Sequence, residues 1–210
     1  NAISLSGKQT KKVKKMIRKI FFASAIVIAI SGCTAMDKLA GMGVVSQQTS
    51  TFDNSTVIEV SPNSLYDPNS TWGTQLQLGA IWSSAYPEEV GLILSYNSNV
   101  SSGNAAYLGL TGIDINIDGK ISSYKAQQQT NLSSSAYNSV SKTIYTSSKN
   151  TVVIPYKLLE SMVSAKNCRI RIHTSQGNQD IDFSAQSIPG GKATAIVSIK
   201  EFMVKVESFK

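Results

Sequence analysis

The chain is poor in the residues on which most site chemistry depends. It has one histidine, His173, and two cysteines, Cys33 and Cys168, in 210 residues. A single histidine excludes a zinc site built on several imidazoles. A Ser-His-Asp set would have to use His173, and no Gly-x-Ser-x-Gly turn exists to present a nucleophile. Acids are missing from residues 1–36. The longest apolar stretch, eleven residues from Ile20 to Ile30 and interrupted only by Ser24, is too short for a permanent membrane helix, which needs about 20.

What is present around that stretch is ordered. Lys11, Lys12, Lys14, Lys15, Arg18 and Lys19 precede it, and Ile30-Ser31-Gly32-Cys33 closes it. A basic segment, a short apolar segment and small residues before a cut describe a secretory signal peptide. With cysteine directly after the small residues, the pattern over about residues 16–34 resembles the lipobox of bacterial lipoproteins. The resemblance implies cleavage before Cys33, a diacylglycerol thioether on its thiol and, often, a further acyl chain such as palmitate on its new amine. Each buried methylene contributes about 0.8 kcal/mol and stable anchoring takes two chains, so such a residue would hold the protein on the membrane. Thr34 rather than Asp follows Cys33. In Gram-negative lipoproteins that choice implies sorting to the outer membrane, with the domain in the periplasm or at the cell surface. Met16 is the natural start of such a signal, and residues 1–15 read as an over-extended start or vector-derived residues.

The formal charge of +7 invites a nucleic-acid reading. Its distribution removes that reading, because residues 1–32 hold seven basic residues and no acid. Thirteen basic and thirteen acidic residues remain beyond them, and a neutral domain exerts no long-range pull on phosphate backbones. No nucleic-acid partner and no cofactor is expected. If Cys33 carries lipid, Cys168 has no partner, and its place at the start of an alternating run suits a buried small side chain.

Residues 33–55 are small and polar and read as a flexible tether, so that one folded domain is expected over 56–210. Short strands are predicted at 56–60, 75–82, 90–96, 108–117, 120–124, 143–146 and 151–154, with a long loop or irregular hairpin arm over 126–140. Leu76, Leu78, Ala80 and Trp82 share one predicted face. Asp118-Gly119 between alternating apolar residues signals a hairpin, and Gly177-Asn178 a second one joining 169–174 to 179–184. Pro155 fits the first position of a helix reaching Lys166. Residues 193–209 read as an amphipathic helix carrying Ile196, Ile199, Met203 and Val206 on one stripe, with a strand over 195–206 as the other reading. The expected class is α+β: an antiparallel sheet or sandwich with two helices in the C-terminal third.

Four constellations call for a chemical test. Asp114, Asn116, Asp118 and Gly119 match the first half of an EF-hand calcium loop, but Lys125 stands where a bidentate Glu should complete the shell. The hairpin accounts for the same residues without metal. Pro189-Gly190-Gly191-Lys192 resembles a phosphate loop only superficially, since Gln186 and Ala193 occupy its Gly and Ser/Thr positions. Arg169, Arg171 and His173 alternate along one strand and would share a face able to receive an anion, or to pair with Asp180 and Asp182 on the partner strand. Trp72, Trp82, Tyr86, Tyr96 and Tyr107 could line a glycan or peptide groove, or serve the core.

These readings converge on a lipid-anchored envelope protein whose domain is a non-catalytic binding or structural module, with an envelope protein or glycan as partner. The competing expectation is a periplasmic hydrolase that uses His173 with Asp180 or Asp182.

Overall fold

The computed structural model describes residues 37–68, 75–188 and 191–210. The signal segment, Cys33, Trp72, Pro189 and Gly190 lie outside these residues. Among the described residues, ten strands and two helices of more than two turns follow in chain order: β1 (Val45–Thr49), β2 (Thr56–Ser64), β3 (Leu76–Ser83), β4 (Glu89–Asn99), β5 (Leu110–Ile117), β6 (Lys120–Lys125), β7 (Asn131–Ser134), β8 (Tyr145–Pro155), α1 (Tyr156–Ser164), β9 (Cys168–Thr174), β10 (Gly177–Asp182) and α2 (Ala195–Glu207). The strands form a six-stranded sheet in the order β1-β2-β3-β4-β8-β7 and a four-stranded sheet in the order β10-β9-β5-β6. Every pairing is antiparallel.

Period-two alternation decides which faces meet. Leu76, Leu78, Ala80 and Trp82 of β3 are buried together, beside Val90, Leu92, Leu94 and Tyr96 of β4. From the smaller sheet, Ile113 and Ile115 and then Cys168, Ile170 and Ile172 enter the same apolar cluster. α2 lies across β2 and β3, and the smaller sheet meets the larger one at β8. Ile196, Ile199, Phe202 and Val206 of α2 are buried, so the helical reading of the C terminus stands and the strand reading falls. Trp82 and Tyr96 belong to the core, each with its polar tip satisfied: the indole N–H donates to Pro87 O at 3.1 Å and the Tyr96 hydroxyl to Ala105 O at 2.8 Å.

Four expectations need correction. Part of the predicted tether is built into the fold, because residues 45–49 pair along β2 from Val45↔Val60 to Thr49↔Thr56. Ahead of β1, a helical turn at 37–39 is held by Lys38 to Glu201 at 2.8 Å and Lys192 to Asp37 at 3.5 Å. Second, 143–146 and 151–154 are not two strands. Residues 145–154 belong to the single eleven-residue β8, whose inward face is polar at one end and apolar at the other, while Thr143 makes only an isolated bridge to Asn138. The polar half is buried because each side chain finds backbone. Thr146 donates to Ala106 O, Ser148 Oγ accepts from Leu108 N, and Asn150 Nδ2 donates to Leu110 O and Gln128 O. This polar seam fastens the approach to β5 against β8. Third, the long-loop reading of 126–140 gives way to the hairpin-arm one, because the segment contains the short edge strand β7 paired antiparallel with β8. Fourth, Pro155 caps α1 from the end of β8 instead of opening the helix, and α1 stops at Ser164.

Both hairpins form. At β5–β6, Asp118 and Gly119 have φ of 50° and 93°, the positive pair that a type I′ turn requires, and Gly119 N donates to Asn116 Oδ1 at 2.9 Å. The β9–β10 turn sits two residues earlier than predicted, at Ser175-Gln176. Thr174 Oγ1 accepts from Gln176 N and donates to Gly177 O, closing the chain there. Asn178 therefore lies in β10 opposite His173.

Candidate functional site

The outward face of the four-stranded sheet gathers most of the chemistry-bearing residues. Alternation in β9 sends Cys168, Ile170 and Ile172 inward and Arg169, Arg171 and His173 outward, as the sequence implied. Register then builds three rows across the sheet. Asn178, His173 and Gly112 form one, Asp180, Arg171, Asp114 and Ser123 the next, and Asp182, Arg169, Asn116 and Ile121 the third.

In the middle row Arg171 is a fork on Asp180. Nε donates to Oδ1 at 2.6 Å and the terminal amine to Oδ2 at 2.8 Å. That contact raises the guanidinium pKa and holds the Asp180 carboxyl below its usual range. His173 crosses between rows. Its Nε2 lies 3.0 Å from Asp114 Oδ2 and its Nδ1 lies 2.9 Å from Asn178 Oδ1. A Ser123 hydrogen bond, and then the His173 contact, depress the Asp114 carboxyl below its usual range. Arg169 faces Asp182 in register, yet it forms no ion pair among the described residues. Asp182 Oδ1 instead accepts the backbone N–H of Ser184 at 3.0 Å.

Of the proposed anion-binding trio, Arg171 and His173 thus already hold acidic partners, and Arg169 is the guanidinium that remains open. It borders a depression of about 150 Å³ lined by Asp114, Asn116, Ile121, Arg169, Arg171 and Asp180. Sites that enclose small molecules are typically about 300–1,000 Å³. The depression therefore suits an ion or a single side chain from a partner. His173 is not part of its lining. Asp114, Asn116 and Asp118 are strand and turn residues of the hairpin. Among the described residues no group of three or more His, Cys, Asp or Glu converges as a metal site.

The carboxylate beside His173 is Asp114. The sequence reading named Asp180 and Asp182 for that role, and both are committed elsewhere. The signal that finds Asp114 is the β5–β9 register, which no local pattern reveals. Cys168 is a free, fully buried thiol whose pKa burial pushes up to about 12, a setting that keeps it unreactive. Among the described residues the aromatic groove does not assemble. Trp82 and Tyr96 are core residues, whereas Tyr86 and Tyr107 are exposed.

A second surface lies on the outer side of the larger sheet, where Val57, Ile81, Tyr86 and Val153 border a broad, shallow apolar hollow. Among the described residues no helix is long and apolar enough to cross a membrane. No protein-family model, curated protein or solved structure matches the chain.

Proposed function

We propose that the protein is an envelope lipoprotein, held on the outer membrane by acyl chains on Cys33, whose β-rich α+β domain acts as a non-catalytic binding or structural module. The observation that carries the reading is Ile30-Ser31-Gly32-Cys33 in register with its basic and apolar segments, four positions before Asp37. The non-catalytic half is supported by His173. It lies on an open sheet face, and Asp114 and Asn178 engage both of its ring nitrogens. A general base needs a nitrogen within reach of the proton it abstracts. A partner side chain or glycan would meet the polar sheet face around Arg169, where the open guanidinium supplies directional donors.

The hydrolase reading has one observation in its favour, the 3.0 Å His173–Asp114 pair. It needs a nucleophile and a substrate cleft at that pair, and the nearest depression is small and lies to one side. Fractionation of cells expressing the native chain and Cys33→Ser tests the anchor. The native protein pellets with membranes and the variant moves to the soluble fraction. Equal membrane association of the two contradicts the proposal.

A further inference from the structure

The fold begins so close to Cys33 that the lipid anchor, if it forms, dictates which surface of the domain meets the membrane. This inference rests on the lipoprotein reading. Asp37 stands four positions after Cys33, and four residues reach at most about 14 Å even when fully extended. From Asp37 onward the chain is fastened. Lys192 lies 3.5 Å from Asp37, and Lys38 pairs with Glu201 of α2 at 2.8 Å. Ser61 Oγ donates to Gly41 O and accepts from Val44 N, after which β1 enters the larger sheet. No long tether stands between acylated Cys33 and the body.

The surface at this point has the composition of a membrane-contacting face. Leu39 is 84% exposed and Val204 of α2 is 75% exposed. Val197, Lys200, Glu201 and Val204 share one side of α2 by helical spacing. The acids among them are answered: Glu201 is held by Lys38 and Asp37 by Lys192, so neither opposes lipid phosphates as a free charge. Exposed aliphatic side chains with lysines beside them suit the boundary between headgroups and acyl chains. The headgroup layer is about 5–8 Å deep on each side of the hydrocarbon, within the reach of the residues between Cys33 and Asp37.

We propose that the 37–42 turn and the outward side of α2 around Leu39, Lys200 and Val204 rest on the phospholipid headgroups of the membrane that carries the Cys33 acyl chains. The far edge of the larger sheet, with β7 and the loop around Val140, then faces away from the lipid. Five strand spacings separate β1 from β7, roughly 24 Å across the sheet.

Full-length acylated protein reconstituted in phosphatidylethanolamine–phosphatidylglycerol vesicles tests this, using variants that each add one cysteine, Leu39→Cys, Val204→Cys and Val140→Cys. All three positions are exposed, and the buried Cys168 thiol stays unlabelled in the folded state. A fluorophore on each cysteine is read against lipids that carry a quencher on the headgroup. The proposal expects near-complete loss of emission at 39 and 204 and retained emission at 140. Equal emission at the three sites, with acyl mass confirmed on the Cys33 peptide, overturns the orientation and leaves the anchor standing. A Cys33 peptide without acyl mass overturns both.

Discussion

Gly43→Ala separates a docked N-terminal segment from a tether, because the two arrangements predict different signs. Gly43 has φ of +64°, and a Cβ there would sit 2.8 Å from Asn63 Nδ2 and 2.9 Å from Ser198 Cβ. Asn63 is a buried residue of β2 and Ser198 a buried residue of α2, so neither has open space to retreat into. The left-handed backbone alone costs an L-residue about 1–2 kcal/mol. Forcing a methyl into a filled space adds about 1–3 kcal/mol. Gly43→Ala should therefore lose about 2–5 kcal/mol. For a chain of this size, 1 kcal/mol is worth roughly 2–4 °C in Tm, so a loss of about 3 kcal/mol appears as a fall of about 6–12 °C. Gly41→Ala is the control. It has φ of +76° but nothing within 4 Å of its Cβ, so it should lose only the backbone share. Urea unfolding followed by tryptophan fluorescence measures both variants against the native protein. In a tether, replacing glycine by alanine restricts the unfolded chain at no native cost and leaves stability equal or slightly higher. A Gly43→Ala protein as stable as the native one would refute the docked arrangement of residues 37–49.

Three further outcomes follow from the geometry. Asp114 has a depressed carboxyl pKa in the fold, so its contribution is complete above the unfolded value of about 3.9 and is lost as pH falls through the lower folded value. Tm measured from about pH 6 down to about pH 2 should fall less steeply in Asp114→Asn than in the native protein, and identical slopes would contradict the assignment. Cys168, buried with its thiol pKa pushed up to about 12, should resist a thiol reagent at neutral pH until urea unfolds the chain, and rapid labelling of the folded protein would contradict its burial. Tyr156 is fully buried with a hydroxyl that makes no well-formed hydrogen bond, and burial, followed by its loose approach to the Glu207 carboxylate, drives its pKa up. Tyr156→Phe should cost less than about 1 kcal/mol in urea unfolding or add stability, whereas a loss above about 2 kcal/mol would mean that the hydroxyl is satisfied.

Local pattern made some of this legible and left the rest hidden. The inward run of β3, the Asp118-Gly119 hairpin and the outward trio Arg169, Arg171 and His173 all come from strict alternation and turn chemistry, which act over a few residues. β1 was invisible because Val45-Ser-Gln-Gln-Thr49 carries one apolar side chain, and its place comes from backbone pairing with β2. β8 read as two strands because Ser148 and Asn150 look like loop residues until the backbone they bond is known. His173 is partnered by Asp114 because β9 lies beside β5 as well as β10, a neighbourhood set by long-range pairing. The β9–β10 turn moved two residues because the Thr174 hydroxyl closed it first, and that move placed Asn178 against His173.

The mass of the N-terminal peptide, taken from protein extracted out of the membrane fraction, tests the central claim most directly. The account predicts a chain that begins at Cys33 and carries a diacylglycerol thioether, with or without a further acyl chain on its amine. A peptide that runs unbroken across Gly32 and Cys33, with a free thiol, would contradict it.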